Sequence, residues 1–374
     1  MAIPRLLHVG TGCLGEVGAL LRAHEFDVTR VLVGSGPGPS RILATGVVQG
    51  MRACGIQVVR RSDLCGRLDQ AAAAAATIIE EGVTVAVAVG GGRAIDPLKL
   101  AAARTGVDFV SVPTTISNDG ISSPVASLVD RDGARTSRAA RMPCGTVVDM
   151  EAIGSAPPAT LRAGAGDLIS NLIACLDWRL ADRQGLDHYD AYSAMIAESA
   201  ARPILEIADL GSPAAREVLA QGLLMSGLAM AAAGTSRPCS GPEHLVSHAL
   251  DAQLGPRAAL HGEQVALGCL VASAAHESPL LETLRRVFAR LGLPTRAEDL
   301  GLMPAEVAAA VRAAPGMRPG RWTILSARSD DADELVARAL ADATPPADHA
   351  APSWRASGVD AMRESSQSMT RSVA

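Results

Sequence analysis

Thr84-Val-Ala-Val-Ala-Val-Gly-Gly-Gly-Arg-Ala-Ile-Asp-Pro-Leu-Lys99 changes character at its middle. Residues 84–89 form an uncharged run rich in valine, which reads as a buried strand. The three glycines that follow let the backbone approach a ligand closely, and the helix beginning there presents N–H groups and a dipole end to an anion such as a pyrophosphate. The motif is neither GxGxxG nor a P-loop, and a tight turn without a ligand is the plainer alternative.

Working outward, strand-like and helical segments alternate. Residues 6–9 read as a strand, 18–23 as helical, 28–34 as a second strand, 42–54 as a helix and 57–59 as a third strand. The alanine run 71–76 reads as helix filler. Another strand at 107–112 is followed by Pro113-Thr-Thr-Ile-Ser-Asn-Asp-Gly120. Such alternation predicts a parallel sheet with helices on its faces, with ligands at the carboxyl ends of the strands. Asp119 and the hydroxyls of Thr114, Thr115, Ser117 and Ser123 are placed to meet one, although an Asn-Asp-Gly turn can also simply cap itself. Residues 125–129 and 146–148 read as further strands, with 130–133 as the turn of a hairpin.

Beyond residue 159 the strand-like runs stop and helical segments succeed one another to about 341. Gly164-Ala-Gly166-Asp167 is expected to open the first helix, where a carboxylate at position 167 is favoured by the helix dipole and capping alone would account for it. Ser240 with Glu243 reads as a capping box and Pro242 as a first-turn proline, so a helix is expected from there to the Gly255-Pro256 break. His244 and His248 share one face of it, and His261 follows in a loop. Three of the eight histidines thus fall within 18 residues. They can converge on a metal if an acidic ligand arrives from elsewhere; as single residues each also reads as a core or helix-cap histidine.

At 374 residues and net charge −5, two domains are the natural expectation, and no basic field exists for nucleic acid. The seven scattered cysteines show no CxxC spacing and fit reduced thiols in a cytosol. Residues 1–20 hold no continuous apolar segment, so neither a secretory signal nor a membrane span is expected. A cytoplasmic protein free of membrane and nucleic acid is the resulting expectation. Among 34 basic residues only Lys99 is a lysine. Residues 345–374, rich in Pro, Ser and Ala without apolar period, read as a disordered tail.

Taken together, Gly-Gly-Gly-x-x-x-Asp-x-x-Lys at 90–99, Pro-Thr-Thr-x-Ser-Asn-Asp-Gly-x-x-Ser at 113–123, Gly-Asp-Leu-Ile-Ser-Asn at 166–171, Asp177-Trp178, Gly-Thr-Ser-Arg-Pro-x-Ser-Gly-x-Glu-His-x-x-x-His at 234–248 and His-Gly-Glu-Gln at 261–264 resemble the sn-glycerol-1-phosphate dehydrogenases. These belong with the metal-dependent alcohol dehydrogenases, glycerol dehydrogenases and dehydroquinate synthases. The resemblance implies an α/β N-terminal dinucleotide-binding domain at 1–158 and an all-α C-terminal metal-binding domain at 159–344, with the active site in the cleft between them. It implies that Gly90, Gly91, Gly92, Arg93 and Ala94 hold the NAD(P) phosphates, and that Thr114, Thr115, Ser117 and Ser123 line the nicotinamide side. Asp119 and His248 match substrate-contacting positions. Asp167, His244 and His261 match metal ligands, Asp167 also touching substrate.

The implied reaction is NAD(P)H-dependent reduction of dihydroxyacetone phosphate to sn-glycerol 1-phosphate, a step of phospholipid metabolism. Zinc is the usual ion in this group, and the Asp/His/His set also suits Fe²⁺, Mn²⁺ or Ni²⁺. Arg237 is the expected seat of the substrate phosphate. Where the family's second strand usually ends in an aspartate, this chain has Gly34-Ser-Gly-Pro-Gly-Pro39, so NADPH is expected to serve at least as well as NADH. The alternatives are a dehydrogenase of another small phosphorylated or phosphonylated polyol, a sugar-phosphate cyclase, which would draw on several lysines, and a non-catalytic binding protein.

Overall fold

The strand Val85–Gly90 sends Val85, Val87 and Val89 to one face and Ala86 and Ala88 to the other. The valines join Val31, Val33, Val110, Val112 and Val147 beneath the helix Pro39–Ala53. The alanines leave room for Ile95, Leu98, Ala101 and Ala102 of the helix Gly92–Thr105 to lie close against the sheet. Two-residue periodicity thus fixes which face takes which helix.

The computed structural model describes residues 4–341. Its strands are β1 (Leu6–Gly10), β2 (Arg30–Ser35), β3 (Gln57–Arg61), β4 (Val85–Gly90), β5 (Asp108–Pro113), β6 (Val125–Val129), β7 (Arg135–Ala139) and β8 (Gly145–Asp149). Six form one sheet in the order β1-β8-β5-β4-β2-β3, every neighbouring pair parallel. From β2 the chain winds outward to β3, then returns to β4 and proceeds the other way. The carboxyl ends of β2 and β4 therefore flank the point where winding reverses, the usual seat of a ligand in such sheets. β6 and β7 form an antiparallel hairpin, turning through Gly133 at φ 88°. β7, Arg-Thr-Ser-Arg-Ala, is polar and mostly exposed, which is why its sequence carries no strand signature.

From residue 158 onward the described chain is helical. The helix Pro158–Arg183 runs through the middle of this part, with the helices Pro242–Leu254 and His261–Ala275 against it. Asp167 therefore sits well inside a 26-residue helix rather than at a helix start. Gly164 and Gly166 are small because other backbones press on the helix there: added Cβ atoms would lie 2.0 Å from the Ile116 carbonyl oxygen and 2.2 Å from that of Gly262. No described helix is long and apolar enough to cross a membrane. The expected tail at 345–374 lies outside the described residues.

Candidate active site

Three helices carry the site, and glycine contacts set their spacing. A Cβ on Gly262 would fall 1.8 Å from the Ala163 carbonyl oxygen, and one on Gly268 2.5 Å from that of Glu243. Because these backbones touch, Asp167, next to Gly166, meets His261, next to Gly262, while His244 beside Glu243 is drawn to the same point. The Nε2 atoms of His244 and His261 lie 3.5 and 3.6 Å from Asp167 Oδ1. One ligand atom from each of the three residues lies within 4.8 Å of the others.

The outer atoms of the same side chains are already engaged. Glu243, fully buried, places Oε1 2.9 Å from His244 Nδ1, and the same oxygen accepts the Gly241 N–H at 2.6 Å. Ser247 Oγ stands 3.0 Å from His261 Nδ1, and Asp167 Oδ2 accepts the Asp119 N–H at 2.8 Å. Both imidazoles are thus turned so that Nε2 faces inward, the arrangement by which outer-sphere groups aim metal ligands. A tetrahedral ion with bonds of ~2.0–2.1 Å separates its ligand atoms by about 3.3 Å, close to the spacings found here, so the donor set fits a divalent cation.

The helix starts differ from the expected pattern. The Pro242–Leu254 helix takes Pro242 in its first turn, but Gly241 is the N-cap and no side chain caps it, so Ser240 forms no capping box. Glu243 instead serves Gly241 and His244. His261 is the first residue of its helix rather than part of a loop. Neither Glu243 nor Ser247 stood out in the sequence as part of the site; their spacing of one residue before and three after His244 was the available signal.

Electrostatics at the cluster follow from burial and crowding of charge. Burial, then the Asp167 charge, push the Asp119 carboxyl up to about 7. Burial opposes the His244 imidazolium, but hydrogen bonds to Asp167 and Glu243 outweigh it and carry its pKa up to about 10. Burial and neighbouring positive charge hold His261 down at about 4 and His248 at about 3. The His248 ring centroid lies 6.5 Å from that of His244 and 6.1 Å from that of His261. His248 is therefore set beside the triad without joining its convergence on Asp167.

A cleft of about 2030 Å³ connects this cluster to the end of the sheet. Gly91, Gly92, Arg93 and Ala94 line it, as do Thr114, Thr115, Ser117, Asp119 and Ser123, together with Asp167, His244, His248 and His261. Gly90, at φ 151°, turns the chain out of β4, and a Cβ there would lie 2.8 Å from that of Ala94. Gly91 caps the Gly92–Thr105 helix with no side-chain hydrogen bond, and a Cβ on it would lie 2.7 Å from Thr115 Oγ1. This glycine cradle, ending in a helix start uncapped by any side chain, fits a pyrophosphate. Gly36 to Ser40, leaving the adjacent β2, line the same end. Asn118 also accepts the Gly120 N–H at 2.9 Å, so the Asp119 loop caps itself as well as facing the cleft.

Arg237 stands elsewhere. It is 3% exposed, with Nε 2.5 Å from Asp187 Oδ2 and Nη1 3.5 Å from Asp177 Oδ2. Two carboxylates neutralise it inside the helical part, so it is no seat for the substrate phosphate.

The family model for iron-containing alcohol dehydrogenases matches residues 8–157. A glycerol-1-phosphate dehydrogenase (NAD(P)+) of Methanosarcina barkeri is 36% identical over 90% of this chain and 95% of its own. One from Thermococcus kodakarensis is 37% identical over 87% and 92%. The fold is similar to that of a probable glycerol dehydrogenase from Sinorhizobium meliloti, with a TM-score of 0.74 at 23% identity over 90% of this chain and 97% of that one. It is also similar to that of a sulfoacetaldehyde reductase from Bifidobacterium kashiwanohense solved with NAD+, with a TM-score of 0.70 at 19% identity over 91% and 98%. With relatives of this identity matched over nearly their whole length, the chain belongs to the glycerol-1-phosphate dehydrogenase family.

Proposed function

We propose that the protein reduces dihydroxyacetone phosphate to sn-glycerol 1-phosphate with NADPH or NADH. The observation that carries this reading is the convergence of Asp167, His244 and His261 in the same cleft as the glycine-rich helix start after β4. Full-length similarity to glycerol-1-phosphate dehydrogenases supports the choice of substrate.

Asp167, His244 and His261 hold the metal, and Gly90 to Ala94 seat the dinucleotide phosphates. Thr114, Thr115, Ser117 and Ser123 border the nicotinamide. A bound divalent cation supplies Lewis acidity at the C2 carbonyl, and the nicotinamide supplies the hydride. Glu243 and Ser247 hold the two imidazoles in place. Asp119 and His248 face the substrate: Asp119, held beside Asp167, can hydrogen-bond a substrate hydroxyl. His248, held neutral, can give its N–H proton to the developing alkoxide while its other nitrogen takes one from water. The cleft falls between a nucleotide-binding part, ending near residue 158, and a helical metal-binding part after it. A homo-oligomer in the cytoplasm is the proposed setting.

A cyclase would draw on lysine chemistry. The single lysine, Lys99, is 1% exposed and its ammonium is spent on the carbonyls of Gly120 and Val125 and on Asp96.

The test is oxidation of NADPH by zinc-loaded protein with and without dihydroxyacetone phosphate, followed by chiral analysis of the product. Turnover that depends on the ketone and yields sn-glycerol 1-phosphate is expected. Failure to turn over, or formation of the enantiomer, refutes the reading.

A further inference from the structure

The loop between the helices Pro304–Met317 and Ile324–Arg328 brings two guanidinium groups onto one serine. Arg318 Nη1 donates to Ser236 Oγ at 3.1 Å and Arg321 Nη2 to the same oxygen at 3.0 Å. Arg321 also donates to the Ser240 carbonyl and is only 6% exposed. Among the described residues, neither arginine has a carboxylate within ion-pairing distance, whereas nearby Arg237 has two.

A buried cation without a counter-charge is costly, and such groups are ordinarily paired. Here burial, with repulsion from Arg318 and Arg237, brings the Arg321 pKa down to about 9. Arg318 lines the cleft together with Thr235, Ser236 and His248, and both arginines act electrostatically on His248. His248 thus feels the positive charge of these arginines as well as that of the neighbouring His261 and His244. In a chain of net charge −5, two guanidinium groups that form no ion pair among the described residues, one of them lining the cleft, call for an anion, since Glu243 and Asp187 only partly offset the positive charge around Arg321.

The geometry points to Arg318, held by Ser236 and backed by Arg321, as the seat of the substrate's phosphoryl group in the cleft that His248 also lines. This assignment rests on the reading of the substrate as a small phosphorylated ketone. A guanidinium fork matches the oxygens of a tetrahedral dianion, and the exposed Arg318 supplies it while buried Arg321 fixes Ser236 and adds field. The glycine cradle after β4 takes the dinucleotide at a separate place, so a role for Arg318 should leave dinucleotide binding alone.

The experiment compares wild type, Arg318→Gln and Arg318→Lys with dihydroxyacetone phosphate and with dihydroxyacetone. It adds thermal shifts on inorganic phosphate in the presence of saturating NADP+. Arg318→Gln is expected to lower kcat/KM for the phosphorylated ketone roughly 10- to 100-fold, leave dihydroxyacetone within about twofold and keep the KM for NADPH. Arg318→Lys should recover part of the loss, and it serves alone if the glutamine variant does not fold. An equal loss on both ketones, or none on the phosphorylated one, overturns the seat. If wild type reduces neither ketone, the phosphate shift decides. A shift present in wild type and absent in Arg318→Gln upholds the seat while the substrate reading falls, and no shift in wild type overturns the seat.

Discussion

Gly166 and Gly262 meet backbone against backbone, a Cβ on Gly166 falling 2.2 Å from the Gly262 carbonyl oxygen. The contact locks the two helices at the level where Asp167 and His261 face each other, so the geometry of the candidate metal site is written into helix packing. Gly262→Ala should force the helices apart, cost roughly 1–3 kcal/mol of overpacking strain and lower zinc stoichiometry. Gly46→Ala is the control, since a Cβ there meets nothing within 4 Å and the helix gains propensity. Melting curves and metal analysis of the two variants check this. Full zinc occupancy in Gly262→Ala would contradict it.

Lys99 ties the glycine-motif helix to the Asp119 loop. Its Nζ lies 2.7 Å from the Gly120 carbonyl oxygen, 2.6 Å from that of Val125 and 3.1 Å from Asp96 Oδ1. An ammonium can donate to both carbonyls while its compact charge faces Asp96, and a planar guanidinium does not match this arrangement, which gives a physical reason for one lysine to persist where every other basic residue is arginine. Lys99→Met, leaving Asp96 buried and unpaired, should cost roughly 3–5 kcal/mol in denaturant unfolding. Lys99→Arg should recover only part. Wild-type stability in either variant would refute the argument.

Cys65 lines the end of the cleft proposed to take the dinucleotide, beside Gly66 and Arg93. Saturating NADP+ should slow its alkylation by iodoacetamide at least several-fold, read by mass spectrometry without any turnover. Cys13, whose thiol burial pushes up to about 11, should stay unlabelled at pH 8, because the thiolate is the reacting form. Equal labelling of Cys65 with and without NADP+ would place the dinucleotide elsewhere.

No carboxylate occurs between Gly34 and Ser40, where the loop after β2 borders the cleft. A 2′-phosphate therefore meets no repulsion there, and kcat/KM for NADPH should equal or exceed that for NADH. A strong preference for NADH in parallel assays would contradict this.

Much of the architecture was legible because it rests on local periodicity. The Val/Ala alternation of β4 announces a buried strand, and the glycines after it announce a helix start. Polar β7 escaped because a hairpin arm exposed to water needs no apolar pattern. Asp167 reads as a helix start because glycine is ambiguous in sequence: Gly164 and Gly166 resemble a break, yet they answer to Ile116 and Gly262, distant in the chain. Glu243 has the spacing of a capping box, yet its oxygen serves Gly241 and His244, and Arg237 sits in the sequence where a phosphate seat is expected, yet it lies between Asp177 and Asp187. Arg318 and Arg321 lie in a loop with no period at all, and only tertiary placement shows that neither forms an ion pair among the described residues.

The central claim is that Asp167, His244 and His261 hold a metal at which dihydroxyacetone phosphate is reduced. Its most direct test measures bound zinc and NADPH oxidation together in wild type and Asp167→Asn, with NADP+ binding as a check on folding. Wild type is expected to bind about one zinc per chain and to turn over rapidly. In Asp167→Asn, with NADP+ binding retained, zinc should fall sharply and turnover by at least 10³-fold, on the order expected for loss of a group acting in the transition state. An Asp167→Asn protein that reduces the ketone at the wild-type rate would contradict the account.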